Sequence, residues 1–229
     1  MQSNAQKSDA GMEEIWFQYY NYAKIAQKWS LVSDLGYRLK DANFTKLSQY
    51  FIRSGIGYNL SPSMKIVFGA AYFKTHFHGT DVVTEWRPHQ QLNTSHKFGN
   101  LGFGNRIRIE ERFLHTNASE GTAFSNTFNF RFRYRFLFDI PLLNLSKSNV
   151  ERKLSLTLGD EILCSAGKDD FLDFTAQNRF LVGPTLKLNK ANKLFVIYNF
   201  TSVSKEIPTI SEEFNIIWFG YKQTLDFRK

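Results

Sequence analysis

The 229-residue chain has room for one large β domain or two small ones, carries a formal net charge of +8, and is 16% aromatic, with 23 Phe and 10 Tyr. Its mean hydropathy is only −0.35, and no apolar run approaches the ~18 residues that a membrane-spanning helix needs, which excludes a helical membrane protein. The positive charge does not mark a nucleic-acid binder, because the most regular cations alternate with aromatics instead of forming a basic patch or tail.

Many aromatics at low mean hydropathy is the combination that alternating strands produce, each apolar on one side and polar on the other. Residues 1–13 read as a flexible leader without an apolar signal core, so the chain is expected in mature form. The first predicted strand, 14–25, is rich in Trp16, Tyr19, Tyr20 and Tyr22. A short turn at 26–28 leads into 29–40, where Trp29, Leu31, Leu35, Tyr37 and Leu39 share one parity. The third strand, 47–60, sets Tyr50, Ile52, Ile56 and Tyr58 against Gln49, Arg53, Gly55 and Asn59. A tight turn around Pro62 follows, and 64–76 places Met64, Ile66, Phe68, Ala70 and Tyr72 on one side. Residues 83–97 form the most polar strand candidate, and a turn at 97–100 opens the sixth, 101–114.

In that sixth strand Leu101, Phe103, Ile107, Ile109 and Phe113 oppose Arg106, Arg108, Glu110 and Arg112. After a polar loop at 115–122, residues 126–140 carry the clearest pattern in the chain. Phe128, Phe130, Phe132, Tyr134, Phe136 and Phe138 alternate with Asn129, Arg131, Arg133, Arg135, Leu137 and Asp139. Successive side chains of a strand point to opposite faces, so one face is an aromatic wall and the other carries cations. The stretch exceeds the roughly 9–11 residues that a tilted strand needs to cross a bilayer's hydrocarbon. Further strands are expected at 152–164, at 171–188, around Leu194, Val196, Tyr198 and Phe200, and at 214–227, with a loop at 202–211. Asp160 falls on the apolar parity of the eighth strand, which a bulge or a strand end would explain.

Eleven strands are counted, with no segment of helical period. Single-chain bacterial barrels carry even numbers, so the expectation is a closed antiparallel up-and-down transmembrane β-barrel, all-β, with twelve strands or else ten. It would occupy 14–229 as one domain. Barrel diameter grows with strand number, and inward-facing aromatics would leave ten to twelve strands around a large void. Turned outward into lipid, they need no partner, and the aromatic final segment resembles a barrel-insertion signal.

Phe128, Phe130, Phe132, Tyr134, Phe136 and Phe138 are then lipid-facing. Trp16, Trp29, Trp86, Trp218 and Tyr221 are expected at the membrane–water interfaces, where ring and polar tip prefer different media. The polar parities assemble a charged lumen cluster of Arg106, Arg108, Glu110, Arg112, Arg131, Arg133, Arg135, Glu161, Gln177 and Arg179. Six of these arginines come from two consecutive strands that give the cluster one carboxylate, Glu110, so Glu161, Glu85, Asp139 or anions must face them. The short turns are expected on the periplasmic side, and 41–46, 115–122 and 202–211 outside.

Several stretches together resemble one known family over residues 14–229. They are Trp16 followed by Lys28-Trp29-Ser30-Leu31, then Glu85-Trp86-Arg87-Pro88-His89-Gln90-Gln91, and the run from Asn105 to Phe113. Arg131 to Tyr134, Asp160-Glu161 and the run from Gln177 to Gly183 complete the set. The resemblance is to the Bacteroidetes outer-membrane barrels catalogued as domain-of-unknown-function family 2490. It implies a closed barrel in the outer membrane of a Gram-negative cell, and it implies no activity.

Catalytic signals are thin. His76, His78, His89, His96 and His115 are scattered, and none lies in the His-x-Ser-Asn-Gly run of a barrel phospholipase. His76 and His78 share a strand face but lack a third metal ligand, and the single Cys164 excludes an internal disulfide. No catalytic residue, metal or cofactor is expected. The reading is a narrow envelope barrel with an arginine- and carboxylate-filled lumen, in contact with outer-membrane lipid and other envelope proteins, in a structural or accessory role. An anion-attracting, porin-like pore and a barrel lipid hydrolase are the alternatives.

Overall fold

Alternation along every strand makes a sheet whose two faces differ in chemistry, and in this chain the edges of that sheet meet. The computed structural model describes residues 12–40, 43–76, 82–117, 125–149, 151–167, 175–205 and 210–228. The strands are β1 (Met12–Lys24), β2 (Trp29–Lys40), β3 (Lys46–Ser61), β4 (Met64–His76), β5 (Val82–Phe98) and β6 (Leu101–Asn117). They continue as β7 (Ser125–Asn144), β8 (Lys153–Gly167), β9 (Thr175–Lys187), β10 (Asn192–Lys205) and β11 (Ile210–Asp226). Each pairs antiparallel with the next, and β1 pairs with β11 to close the barrel.

That closing pair is parallel. The barrel has eleven strands, not twelve or ten, and it is mixed, not wholly antiparallel. In an up-and-down path an odd count sends the first and last strands the same way, so closure between them must be parallel. The even expectation came from a general rule about barrels; the alternation in the chain itself counts eleven. Parallel ladders have slanted bonds and are slightly less stable per residue than antiparallel ones. Here the seam is clamped on both faces by matched aromatics. Phe17–Phe219 and Tyr19–Tyr221 pair outside at 5.4 and 5.7 Å, and Trp16–Trp218 pairs inside at 5.8 Å.

The strands run further than periodicity indicated. β6 continues to Asn117, β10 to Lys205, and β11 starts at Ile210, which leaves little of the expected loop at 202–211. Residues 1–11, most of the loop at 115–122, and 171–174 of the ninth predicted strand lie outside the described residues. Asp160 sits at neither a bulge nor a strand end. Its register with Phe136 and Phe180 is unbroken, and Asn178 Nδ2 donates to Asp160 Oδ1 at 2.8 Å. The short turns at 25–28, 62–63, 99–100 and 188–191 gather at one rim, with the 145–152 connection beside them. In the 99–100 turn Gly99 takes a φ of 59°, which favours a residue without Cβ. β1 begins at the opposite rim.

Large apolar side chains stand on the outer face. Ile52, Phe68 and Phe132 are 59%, 58% and 50% exposed, and Phe128, Phe130, Tyr134, Phe136 and Phe138 share the parity of Phe132. Polar groups on this face meet each other in pairs: Tyr134 donates to Asn105 at 3.0 Å, and Gln90 to Glu111 at 3.1 Å.

Candidate functional site

The interior is built from two arcs of strands. From β5 to β9 the inner parity is charged. The β6–β7 register sets Arg106 against Arg135 and Arg108 against Arg133, and like charges directly opposite repel. Their side chains therefore reach to neighbouring carboxylates. Glu110, fully buried, accepts from Arg87 at 3.2 Å, Arg108 at 3.3 Å and Arg133 at 3.0 Å. Glu161 accepts from both Nε and Nη2 of Arg133, at 3.1 and 2.9 Å, and from Arg106, with Arg179 at 3.9 Å. Glu85 is gripped by two forks, from Arg87 at 2.7 and 2.9 Å and from Arg112 at 2.6 and 3.0 Å. Arg87 and Arg133 thus link Glu85, Glu110 and Glu161 into one belt. Such charge-assisted, partly bidentate bonds are the stronger kind, and their value depends on every member being present.

From β10 through the seam to β4 the inner parity is largely aromatic and aliphatic. Trp16, Tyr20, Phe51, Phe73, Phe195 and Trp218 all contribute to the interior. This corrects the interfacial assignment of Trp16 and Trp218. Trp16 is buried, donates from Nε1 to Glu14 at 2.5 Å, and carries the Arg38 guanidinium 3.8 Å over its ring. Aromatics occupy both parities of β1, so type alone did not tell inside from outside. Trp29, Trp86 and Tyr221 do lie on the outer face, with Trp29 edge-on to Tyr58 at 4.8 Å and Trp86 beside Tyr72 at 5.2 Å.

The inward aromatics did leave a signal that parity reasoning missed. Phe51 pairs across the ladder with Gly36, and Phe195 with Gly220. A Cβ at Gly36 would fall 2.2 Å from the Phe51 ring, and one at Gly220 would fall 1.8 Å from the Phe195 ring. At these two positions the inner-parity glycine leaves room for a ring from the next strand. Cations in this arc rest on rings more than on carboxylates: Arg38 lies over Trp16, and Lys222 lies over Tyr20 and Phe195 at 5.4 and 5.0 Å. Arg87 of β5 also reaches across to lie 3.9 Å over Phe73 of β4. The exception is Arg53, which forks onto Asp34 at 2.9 and 2.8 Å.

Free space lies on either side of the charged belt. A cavity of about 280 Å³ is lined by Glu85, Arg87, Arg112, Arg131, Arg133, Glu161, Gln177 and Arg179 among others, with Trp16 and Phe51 facing them. A second, of about 200 Å³, lies toward the short-turn rim and is lined by Asp34, Gln91, Arg108, Leu181, Phe195 and Lys222 among others. Arg53, Arg106 and Arg135 border both, while buried Glu110 borders neither. Every member of the sequence-derived charged cluster therefore sits on the inner wall, but not in one role. Arg131 donates to Ser165 at 2.9 Å, and Arg179 donates to Gln177 at 3.1 Å. Asp139 is exposed and pairs with Gly102 instead of entering the belt.

The histidines do not converge. His89 is buried on the inner wall, His115 bonds Asn126 at 2.7 Å, His76 ends β4, and His78 lies outside the described residues. Among the described residues no three metal-capable side chains come together.

The family described as Protein of unknown function (DUF2490) matches residues 13–207, from β1 through β10. The chain belongs to this family. The match includes the entire charged arc and the first side of the parallel seam. No curated protein and no solved structure matches the chain.

Proposed function

We propose that the chain is an outer-membrane β-barrel whose interior is closed at mid-height by the arginine–carboxylate belt, acting as a structural or accessory component of the envelope. The observation that carries the reading is the inversion of burial. Glu110, Arg87, Arg108 and Glu161 are buried inside, while Ile52, Phe68, Trp86, Ile107 and Phe132 stand exposed outside. A water-soluble monomer rarely exposes a contiguous apolar patch beyond a few hundred Å². In lipid the same surface is solvated, and a closed ladder leaves no backbone edge unpaired. The paired polar groups on the outer face fit that environment as well. In this reading the short-turn rim faces the periplasm.

Purified protein in a planar lipid bilayer tests the proposal. The expected result is insertion without steady conductance, because in this reading the interlocked side chains of the belt obstruct the interior. Steady anion-selective current from the wild type would favour a pore. A monodisperse preparation in buffer without detergent would sink the membrane reading.

A further inference from the structure

We infer that the cavity of about 280 Å³ on the side of the belt away from the short-turn rim is a binding site for a phosphate-class oxyanion, either free phosphate or a small phosphorylated solute. The site rests on the closed interior proposed above. Nine arginines line this cavity against two carboxylates, Glu85 and Glu161. Both carboxylates are already held by arginine forks, so they have little capacity left to neutralise the rest.

Arg38 and Arg135 form no ion pair among the described residues, and Arg131 has only the Ser165 hydroxyl. The Nε atoms of Arg38, Arg106 and Arg179 are buried without a hydrogen-bond partner. A buried cation with unmet donors is costly, and the cost falls when an anion supplies the acceptors. The geometry favours a tetrahedral oxyanion. A guanidinium held by a ring, as Arg38 is 3.8 Å over Trp16, is placed without spending its N–H donors on a carboxylate and can fork onto two oxygens. The rings thus hold cations in place without consuming their donors.

Chemistry selects the source of the phosphate. The lining is mostly polar and carries nine arginines, which suits a phosphate ion or a compact monoester and offers acyl chains little apolar surface.

The experiment is isothermal titration calorimetry on the whole protein in nanodiscs, with inorganic phosphate and pyrophosphate titrated into chloride buffer. One-to-one binding is expected, and Arg38→Gln and Arg135→Gln should each weaken it at least tenfold. Neither substitution removes a carboxylate's partner among the described residues, so the unfolding midpoint should hold or rise. If a Gln variant does not fold, Arg135→Lys keeps the charge without the fork and should still weaken binding. No heat from either anion at millimolar concentration would overturn the site. So would equal binding by wild type and variants, or a fall in unfolding midpoint like that of a broken ion pair. A conducting barrel with a normal isotherm would sink the closed-barrel reading alone, and a silent barrel with no isotherm would sink this site alone.

Discussion

The two arcs of the inner wall hold their arginines by different means. Between β5 and β9 the guanidiniums fork onto Glu85, Glu110 and Glu161, so charge meets charge and donors meet acceptors. Near the seam Arg38 rests on the faces of Trp16 and Phe51, which counter its charge weakly and accept none of its in-plane donors. The contrast separates the interlocked belt around Glu85, Glu110 and Glu161 from arginines with donors left over, Arg38 near the seam and Arg131 and Arg135 on β7. It also says where each arc should break.

The largest effect is expected in the charged arc. Glu110→Gln removes the one carboxylate shared by Arg87, Arg108 and Arg133 and should destabilise the barrel by about 3–5 kcal/mol, the usual cost of stranding buried charge. Denaturant titration of the refolded protein, read by heat-modifiable gel mobility, would measure it. Adding Arg108→Gln should recover part of the loss, because the two changes together strand less charge than Glu110→Gln alone. A loss below about 1 kcal/mol would mean that the belt is not a unit.

In the aromatic arc packing should decide. Gly220→Ala places a methyl group where the Phe195 ring lies and should cost about 1–3 kcal/mol through overpacking. Phe195→Ala in the same background should cost less than the two single changes summed, since it removes the clash. Strict additivity in that double-mutant cycle would contradict the ring-over-glycine geometry.

The smallest effect lies outside both arcs. In the 145–152 connection the carboxyl of Glu151 is hydrogen-bonded by the Lys187 ammonium, which holds it below the usual carboxylate range. A depressed carboxylate contributes stability above its unfolded pKa and loses it as pH falls through the folded one. Because the pair is open to solvent, Glu151→Gln should leave the unfolding midpoint at pH 7 unchanged within error. A clear drop would show that rim charges matter as much as the belt.

The sequence by itself determined that the chain is built of alternating strands and which face each residue of β7 presents, while its expected strand number, twelve or else ten, gave way to eleven. The alternation is a local property: side chains change face with period two, so Phe132 and Arg133 must part company whatever surrounds them. The same property collected the arginines of β6 and β7 with Glu161 on one wall. Only the tertiary structure decided the parallel seam, because parity is blind to which edges meet and an odd count forces like directions together. Nor could parity show that Trp16 and Trp218 point inward, since both strands of the seam carry aromatics on each face. And which arginines gain a carboxylate is set by side-chain reach across the interior and not by register alone: Arg133 bridges Glu110 and Glu161, while Arg135, directly across the ladder from Glu161, makes no ion pair among the described residues.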